Sequence, residues 1–191
     1  MRAPSPRLES WAEVGRSWGS TAEERALELP CDRFLADPAD TYFRAVDVDA
    51  PAPVVFRWLC QLRVAPYSYD LVDNFGRRSP QHLTPGLEEL ELGQRFITIF
   101  DLVDFEPHRQ ITLAVRRLQR VFGPVALTYL VRPAGPGRSR LVVKLLIGGG
   151  RWRRSRRSPF RHAAPWFELV MMRRQLLNLR DLAEATARAG G

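Results

Sequence analysis

Apolar and polar residues alternate along two parts of the chain, and this alternation predicts strands. The first part is TYFRAVDVDA, residues 41–50, which shows the period of two that is typical of a half-buried strand. Beyond it, the strand pattern recurs in four stretches rich in β-branched and aromatic residues: 94–106, 110–118, 125–131 and 139–147. Only the short turns EPHR, FGP and PAGPG separate these stretches, so we expect an antiparallel meander.

The first of these four stretches, QRFITIFDLVDFE (94–106), is longer than an ordinary strand, which has about five or six residues. We therefore expect it to bend or break between Ile97 and Phe100 and to supply two strands. With this break, the sequence predicts one curved antiparallel sheet of about six to seven strands, which is close to the common sheet size.

Two short helices are predicted after the first strand. Pro51 and Pro53 supply a helix start, and the VVFRWLCQL segment that follows presents an apolar face that includes Trp58. Ser68 can cap a second helix, for which Gly76 is the expected stop. The predicted order is therefore one strand, two helices and then the run of strands.

A long amphipathic helix is predicted at the end of the chain. Its apolar residues recur at helical spacing: Leu169, Met172, Leu176, Leu179 and Ala183. About 25 residues at about 1.5 Å each span nearly 40 Å, which is long enough to cross a whole sheet. Because the strands need cover on one face, we expect an α+β fold in which a curved sheet grips this helix.

Residues 1–40 differ in composition from the rest and are interpreted as an N-terminal extension. They are rich in Pro, Ser, Glu and Arg, with a brief helical pattern at 21–29 that Ser20 or Thr21 would cap. We expect this extension to pack on the domain formed by residues 41–187, with a frayed or disordered tip.

The basic charge of the chain is concentrated in one segment. The formal net charge is +8, and six of these charges come from RWRRSRRSPFR, residues 151–161, which contains no acidic residue. A solvated loop is the plainest interpretation of this segment. The alternatives are contact with anionic lipid headgroups and, with less support, with nucleic acid. The candidate residues for such an anionic surface are Arg151, Arg153, Arg154, Arg156 and Arg157.

The sequence contains no recognisable metal, cofactor or hydrolase motif. There is no HExxH, no Cys/His cluster and no GxSxG, so neither a metal nor a bound cofactor is expected. Cys31 and Cys60 are interpreted as free thiols. The start of the sequence lacks an apolar leader, and no run of about 18 apolar residues follows. The expected location is therefore the cytoplasm.

Several segments together resemble the START-like superfamily, which is also called the polyketide cyclase/dehydrase-like or SRPBCC superfamily. The clearest are FRAVDVDAPAPVVFRWLCQL (43–62), YSYDLVDNFGRRSP (67–80), SRLVVKL (139–145) and MMRRQLLNLRDLAE (171–184). The resemblance spans about residues 18–185, and the YSYD block is similar to a bacterial subgroup without a settled activity. One departure is Pro30-Cys31-Asp32, where members usually have Pro-Gly-Asp.

This resemblance implies a helix-grip fold with an apolar cavity between the sheet and the last helix. Members bind lipids, quinones, sterols or polyketides there, and some catalyse cyclisation or dehydration. The expected function is thus binding of a hydrophobic or amphipathic small molecule, as a carrier or sensor. The alternatives are a metal-independent enzyme of the cyclase or dehydratase type and a protein that binds anionic surfaces through residues 151–161.

The stretch APYSYDLVDNFGRRSP, residues 65–80, holds the densest set of polar candidates. Its polar side chains could be the ends of a short helix, the rim of a pocket or a reaction centre. The catalytic candidates are Tyr67, Tyr69, Asp70 and Asp73. The residues predicted to contact a ligand are Trp58, Tyr67, Tyr69, Asn74, Phe100, Tyr129, Met171 and Arg174.

Overall fold

The computed structural model describes residues 11–68, 79–116, 119, 123–149 and 160–190. The helices are α1 (Trp11–Ser17), α2 (Ala22–Arg25), α3 (Ala52–Cys60) and α4 (Phe160–Ala189), and short 3-10 turns lie at Pro30–Arg33 and Gln61–Arg63. The strands are β1 (Asp40–Val48), β2 (Arg95–Phe96), β3 (Phe100–Glu106), β4 (Gln110–Ala114), β5 (Val125–Pro133) and β6 (Ser139–Ile147).

The strands form a six-stranded antiparallel sheet in the order β1-β6-β5-β4-β3-β2. Neighbours β2 to β6 follow the chain order, so the predicted meander is confirmed. The first strand pairs with the last, from Asp40 opposite Ile147 to Val48 opposite Ser139. The N-terminal strand and the C-terminal strand therefore lie side by side at one end of the sheet.

The predicted break in residues 94–106 is confirmed between β2 and β3. Ile97 and Thr98 have positive φ angles of 44° and 64°, and the chain reverses so that Phe96 pairs with Phe100. A left-handed conformation is costly for a β-branched residue. The backbone N–H of Ile97 donates to the carbonyl of Leu62 at 2.9 Å, which ties this turn to the end of the α3 region.

Helix α3 begins where its prolines predict. Pro51 is the N-cap and Pro53 occupies the first turn, where a missing N–H costs little.

The strand predicted at 110–118 is shorter than expected, because the ladder of β4 ends at Ala114. Most of the second short helix predicted after Ser68 falls on residues 69–78, which lie outside the described residues.

Helix α4 confirms the long C-terminal helix and exceeds the predicted length. It has 30 residues, about 45 Å. Leu176, Leu179 and Ala183 are buried and join the main core together with Trp58 of α3. The curved sheet and this helix enclose that core, which gives the α+β helix-grip arrangement.

The N-terminal segment contacts the sheet through backbone and side-chain hydrogen bonds. Helix α1 has no counterpart among the predicted elements. The backbone N–H of Ala45 in β1 donates to the carbonyl of Trp18 at 3.1 Å, and Nη2 of the buried Arg44 donates to the carbonyl of Gly15 at 2.8 Å. Thr21, rather than Ser20, caps α2, because its hydroxyl accepts from the backbone N–H of Glu24.

A second core cluster lies beneath residues 27–35, on the sheet face opposite α4. The N–H of Cys31 donates to Oγ1 of Thr128 at 3.0 Å, and Nζ of Lys144 donates to the Asp32 carboxylate at 2.7 Å. Cys31 and Cys60 are both buried and free, as predicted. Burial raises the pKa of both thiols, and that of Cys60 reaches about 12.

Candidate functional site

A pocket of about 390 Å³ lies between the sheet and α4. It is called the apolar pocket below. The sheet supplies one wall, the turn between β2 and β3 a second and α4 a third, with Pro66 and Ser68 beside them. Its lining residues are Pro66, Ser68, Ile97, Ile99, Phe100, Val125, Leu127, Tyr129, Leu145, Ile147, Met171, Met172 and Gln175.

The sheet wall of the apolar pocket follows from the period of two in β5 and β6. Val125 pairs with Ile147 and Leu127 pairs with Leu145, so these four side chains share one face. Thr128, the residue after Leu127, points to the other face, where its hydroxyl accepts a hydrogen bond from the N–H of Cys31. Because apolar residues occupy both faces of β5 and β6, one face supplies the pocket wall and the other contributes to the second core cluster.

The polar groups of the apolar pocket are joined by short hydrogen bonds. The hydroxyl of Tyr129 donates to Oε1 of Gln175 at 2.6 Å, and Nε2 of Gln175 donates to the carbonyl of Pro66 at 2.6 Å. The Tyr129 hydroxyl also lies 3.9 Å from Sδ of Met172. Gln175 thus connects β5 to the segment that follows α3.

The segment around Tyr67 is held by α4. Tyr67 has a positive φ of 55°, and its carbonyl accepts from Nδ2 of Asn178 at 2.8 Å. The buried ring of Tyr67 meets Trp58 edge-on at a centroid distance of 5.9 Å. Nε1 of Trp58 in turn donates to Oγ1 of Thr186 at 3.0 Å. Contacts to α4 therefore stabilise an unfavourable backbone conformation.

A second, more polar pocket of about 550 Å³ adjoins the first and shares Ser68 with it. Its lining residues include Tyr67, Ser79, Arg174 and Asn178. Arg174 is exposed there. An amphipathic ligand with its apolar part in the apolar pocket could place a polar end near these side chains.

A larger groove of about 1110 Å³ lies where residues 27–33 meet the turn at 104–110. Its walls carry Glu28, Arg33, Asp104 and Glu106, and Arg33 and Asp104 form an ion pair. These charged groups interrupt its apolar surface. We regard the smaller apolar pocket as the better candidate for a hydrophobic ligand, because its lining is largely hydrocarbon.

The structure distributes the predicted ligand contacts over three places. Phe100, Tyr129 and Met171 line the apolar pocket, whereas Tyr67 and Arg174 line the polar one. Trp58 lies in the core between α3 and α4, away from the lining of both pockets.

The remaining candidates lie outside the described residues. They are Tyr69, Asp70, Asp73 and Asn74 and the anionic-surface residues Arg151, Arg153, Arg154, Arg156 and Arg157. The catalytic hypothesis requires a carboxylate near a tyrosine, and no Asp or Glu is found among the described residues that line the apolar pocket. The described part of the chain also contains no group of three or more His, Cys, Asp or Glu that could hold a metal ion.

Gln175 is a polar residue of the apolar pocket that the sequence pattern did not single out. It lies four residues after Met171 and three after Met172, so it faces the same side of the helix. A polar residue inside an otherwise apolar helical stripe was the available signal. Its partners, Tyr129 and Pro66, are distant in sequence, and the stripe alone does not identify them.

The architecture defines the fold class: a curved antiparallel sheet that grips a C-terminal helix is an α+β helix-grip fold, as the sequence resemblance implies. No protein-family model matches the chain, and no curated protein matches it. In the described residues, no helix has both the length and the apolar character to cross a membrane.

The chain is similar to several solved structures at low identity. A protein of Thermobifida fusca determined by NMR is 14% identical, with a TM-score of 0.49 and coverage of 75% of this chain and 92% of that one. A crystal structure of a Mesorhizobium loti protein is 15% identical, with a TM-score of 0.47 and coverage of 76% and 98%. The di-domain ARO/CYC protein BexL from the BE-7585A biosynthetic pathway is 12% identical, with a TM-score of 0.43 and coverage of 81% and 52%. The fold assignment rests on the strand order and helix placement of this chain.

Proposed function

We propose that this protein binds a hydrophobic or amphipathic small molecule, such as a lipid, a quinone or a polyketide-like compound, in the apolar pocket and acts as a carrier or sensor. The observation that supports this proposal is the space of about 390 Å³ between the sheet and α4. Small-molecule sites are typically about 300–1,000 Å³, mostly apolar and supplied with few polar groups. The Tyr129–Gln175 pair among hydrocarbon side chains has this character.

The physical reason is that hydrocarbon side chains in an open pocket are only partly covered by other protein atoms, so they make fewer dispersion contacts than side chains of a packed interior. A ligand that removes apolar surface from water gains about 25 cal/mol per Å². An apolar guest therefore restores contacts that the lining side chains lack and leaves water itself.

The test is to look for a bound molecule and then to measure binding of a defined one. Native mass spectrometry of the purified protein, followed by solvent extraction, is expected to reveal a co-purifying hydrophobic compound. Isothermal titration of the folded, ligand-free protein with fluorene, a rigid hydrocarbon, is expected to show one saturable site. The proposal is overturned if no hydrophobic compound co-purifies with the protein and fluorene shows no saturable binding.

A further inference from the structure

The apolar pocket and the more polar pocket beside it, called the polar pocket below, meet at Ser68, which lines both. Resting on the proposed function, we infer that the ligand is a hydrophobic carboxylic acid. Its hydrocarbon part occupies the apolar pocket, and its carboxylate pairs with the guanidinium of Arg174 in the polar pocket. Neutral and cationic molecules with the same hydrocarbon part are bound more weakly.

Arg174 lies where the two pockets meet because of its place on α4. It directly precedes Gln175 and comes three residues after Met171, and both of these residues line the apolar pocket. Residues three apart are neighbours on one face of a helix, so Arg174 is about one turn from the hydrocarbon wall. The other described α4 residues of the polar pocket lie farther towards the C-terminus: Asn178, Asp181, Leu182 and Ala185. A polar group on a ligand in the apolar pocket therefore meets Arg174 first.

The charge of Arg174 is not balanced by a neighbouring acid in the described part of the chain. No hydrogen bond or ion pair joins its guanidinium to another described residue, and α4 has no acidic residue three or four positions before or after it. The adjacent Arg173 differs, since its guanidinium lies over the ring of Trp18, 5.2 Å from the ring centroid. Within the described structure, Arg174 thus offers its charge to an anion at the pocket.

One acidic residue, Asp181, also lines the polar pocket, but its position leaves room for an anion at Arg174. It follows Arg174 by seven residues, which is about 10 Å along the helix axis. Its carboxylate also accepts hydrogen bonds from Nε and Nη2 of Arg180 at 2.9 Å and 2.7 Å. The distance and the Arg180 charge both weaken the repulsion that Asp181 exerts on an anion at Arg174.

A carboxylate fits a single arginine better than a phosphate group does. The planar guanidinium can donate two parallel hydrogen bonds to the two oxygens of a carboxylate. One guanidinium balances the single charge of a carboxylate, whereas a phosphate monoester carries about two charges at pH 7 and would leave one unbalanced. Arg174 is exposed, so the bound carboxylate keeps part of its hydration and avoids the full cost of a buried charge.

The experiment uses three probes with one hydrocarbon part: fluorene-9-carboxylic acid, 9-fluorenemethanol and 9-(aminomethyl)fluorene. At pH 7 they are anionic, neutral and cationic. We expect isothermal titration of the wild-type protein to show the carboxylate binding about three- to fivefold more tightly than the alcohol, as an exposed ion pair allows. The amine is expected to bind more weakly than the alcohol, because the guanidinium repels it.

Substitutions on α4 test whether Arg174 causes this preference. In Arg174→Gln, the ratio of carboxylate to alcohol affinity is expected to fall to about one or below. Arg174→Lys keeps the charge but loses the fork of donors, so it should retain a ratio of about two. The matched control is Arg173→Gln, which removes the same charge at the adjacent position, outside the described lining of the polar pocket, and should keep the wild-type ratio within about 1.5-fold. Circular dichroism checks that each variant is folded.

Asp181→Asn supplies a test in the opposite direction. It removes the negative charge from the polar pocket, so the ratio of carboxylate to alcohol affinity is expected to rise by about 1.5- to twofold while binding of the alcohol is unchanged. A lower ratio in this variant would contradict an anion bound in the polar pocket.

The outcomes separate this inference from the proposed function. Binding of all three probes without a preference for the carboxylate overturns the inference and leaves the proposed function standing. Equal loss of the preference in Arg174→Gln and Arg173→Gln also overturns it, because the net charge of the chain would then be the cause. Failure of fluorene and of all three probes to bind would remove the proposed function, and the inference with it.

Discussion

Arg140 of β6 holds the carboxylate of Glu24 in α2 through two parallel hydrogen bonds. Nε donates to Oε1 at 2.7 Å and Nη2 donates to Oε2 at 3.0 Å, and both side chains are largely buried. The backbone N–H of Thr21 also donates to this carboxylate, at 2.8 Å. One acidic residue thus caps its own helix and joins the N-terminal segment to the sheet.

The first prediction follows from this pair. Glu24→Gln keeps an oxygen for the Thr21 cap but removes the charge opposite Arg140, which remains partly buried and keeps the more exposed Asp47 as an ionic partner, 3.3 Å from Nη1. We expect a loss of about 1–3 kcal/mol in the free energy of unfolding at pH 7, measured by urea denaturation. Glu23→Gln, at the exposed neighbouring position, is the matched control and should change stability by less than about 0.5 kcal/mol. Equal effects of the two substitutions would contradict the role given to the pair.

The same pair predicts an acid-sensitive contribution to stability. Burial on its own would raise the pKa of Glu24, but the hydrogen bond from Arg140, the Thr21 backbone bond and the Arg140 charge outweigh it and lower the pKa below the ordinary value of a glutamate. A group whose pKa is lowered by folding stabilises the protein fully above its unfolded pKa, and this stabilisation is lost as the pH falls through the folded pKa.

We therefore expect the stability difference between the wild-type protein and Glu24→Gln to stay constant from pH 7 to about pH 5 and to shrink below about pH 4. Urea denaturation of both proteins across this range measures it. A stability difference that grows as the pH falls would show that a group other than Glu24 dominates the pH dependence.

Substitution of Gly19 and of Gly86 by alanine distinguishes the cost of steric overlap from the cost of backbone strain. Both have positive φ angles, 74° and 79°. A Cβ atom at Gly19 would overlap the carbonyl oxygen of Ala45, whereas one at Gly86 would meet nothing within 4 Å. Gly86→Ala is expected to cost about 1 kcal/mol from the left-handed conformation alone. Gly19→Ala should cost at least about 2 kcal/mol more, since β1 must move. Thermal denaturation of both variants tests this, and equal losses would reject the close approach.

The strand order was predictable largely because the relevant signals are local. Alternation with a period of two marked the strands, short turns required antiparallel neighbours, and Pro51 and Pro53 marked the start of α3. The end of β4 was less predictable, since the apolar pattern continues beyond Ala114 although the ladder does not. Helix α1 has few residues and a weak pattern, and it is held by tertiary contacts such as that between Gly15 and Arg44.

The site was less predictable than the fold. Phe100, Tyr129 and Met171 were predicted to contact a ligand, and all three line the apolar pocket. Trp58 satisfied the same expectation, but the contacts to Tyr67 and Thr186 place it in the core. Partnerships between distant residues, such as Tyr129 with Gln175, depend on register and helix position, which a pattern does not contain.

Both cysteines are predicted to be unreactive in the folded protein. Burial raises the pKa of the Cys31 thiol and raises that of Cys60 to about 12, so little thiolate forms at pH 8. With Ellman's reagent at that pH, the native protein should release less than about a tenth of the thionitrobenzoate expected for two thiols. In 6 M guanidinium chloride it should release two equivalents. Rapid release of a full equivalent without denaturant would mean that one of these sites opens readily.

Filling the apolar pocket from α4 tests whether that space is where a hydrophobic probe binds. Met171 lines the pocket and is half-buried, so Met171→Trp adds ring volume to a wall that has room beside it. The matched control is Val170→Trp, because Val170 is the preceding residue of the same helix and is 48% exposed. Both variants gain the same side chain on the same turn, and only one of them projects it into the pocket.

We expect Met171→Trp to weaken fluorene binding at least about tenfold, since excluding even a few methylene equivalents of ligand from burial costs more than 1.4 kcal/mol. Val170→Trp should bind fluorene within about twofold of the wild-type protein, and both variants should unfold within about 1.5 kcal/mol of it. Isothermal titration and urea denaturation measure these quantities. If the two variants weakened fluorene binding equally, or if only Val170→Trp did so, the hydrophobic probe would be bound elsewhere on the protein.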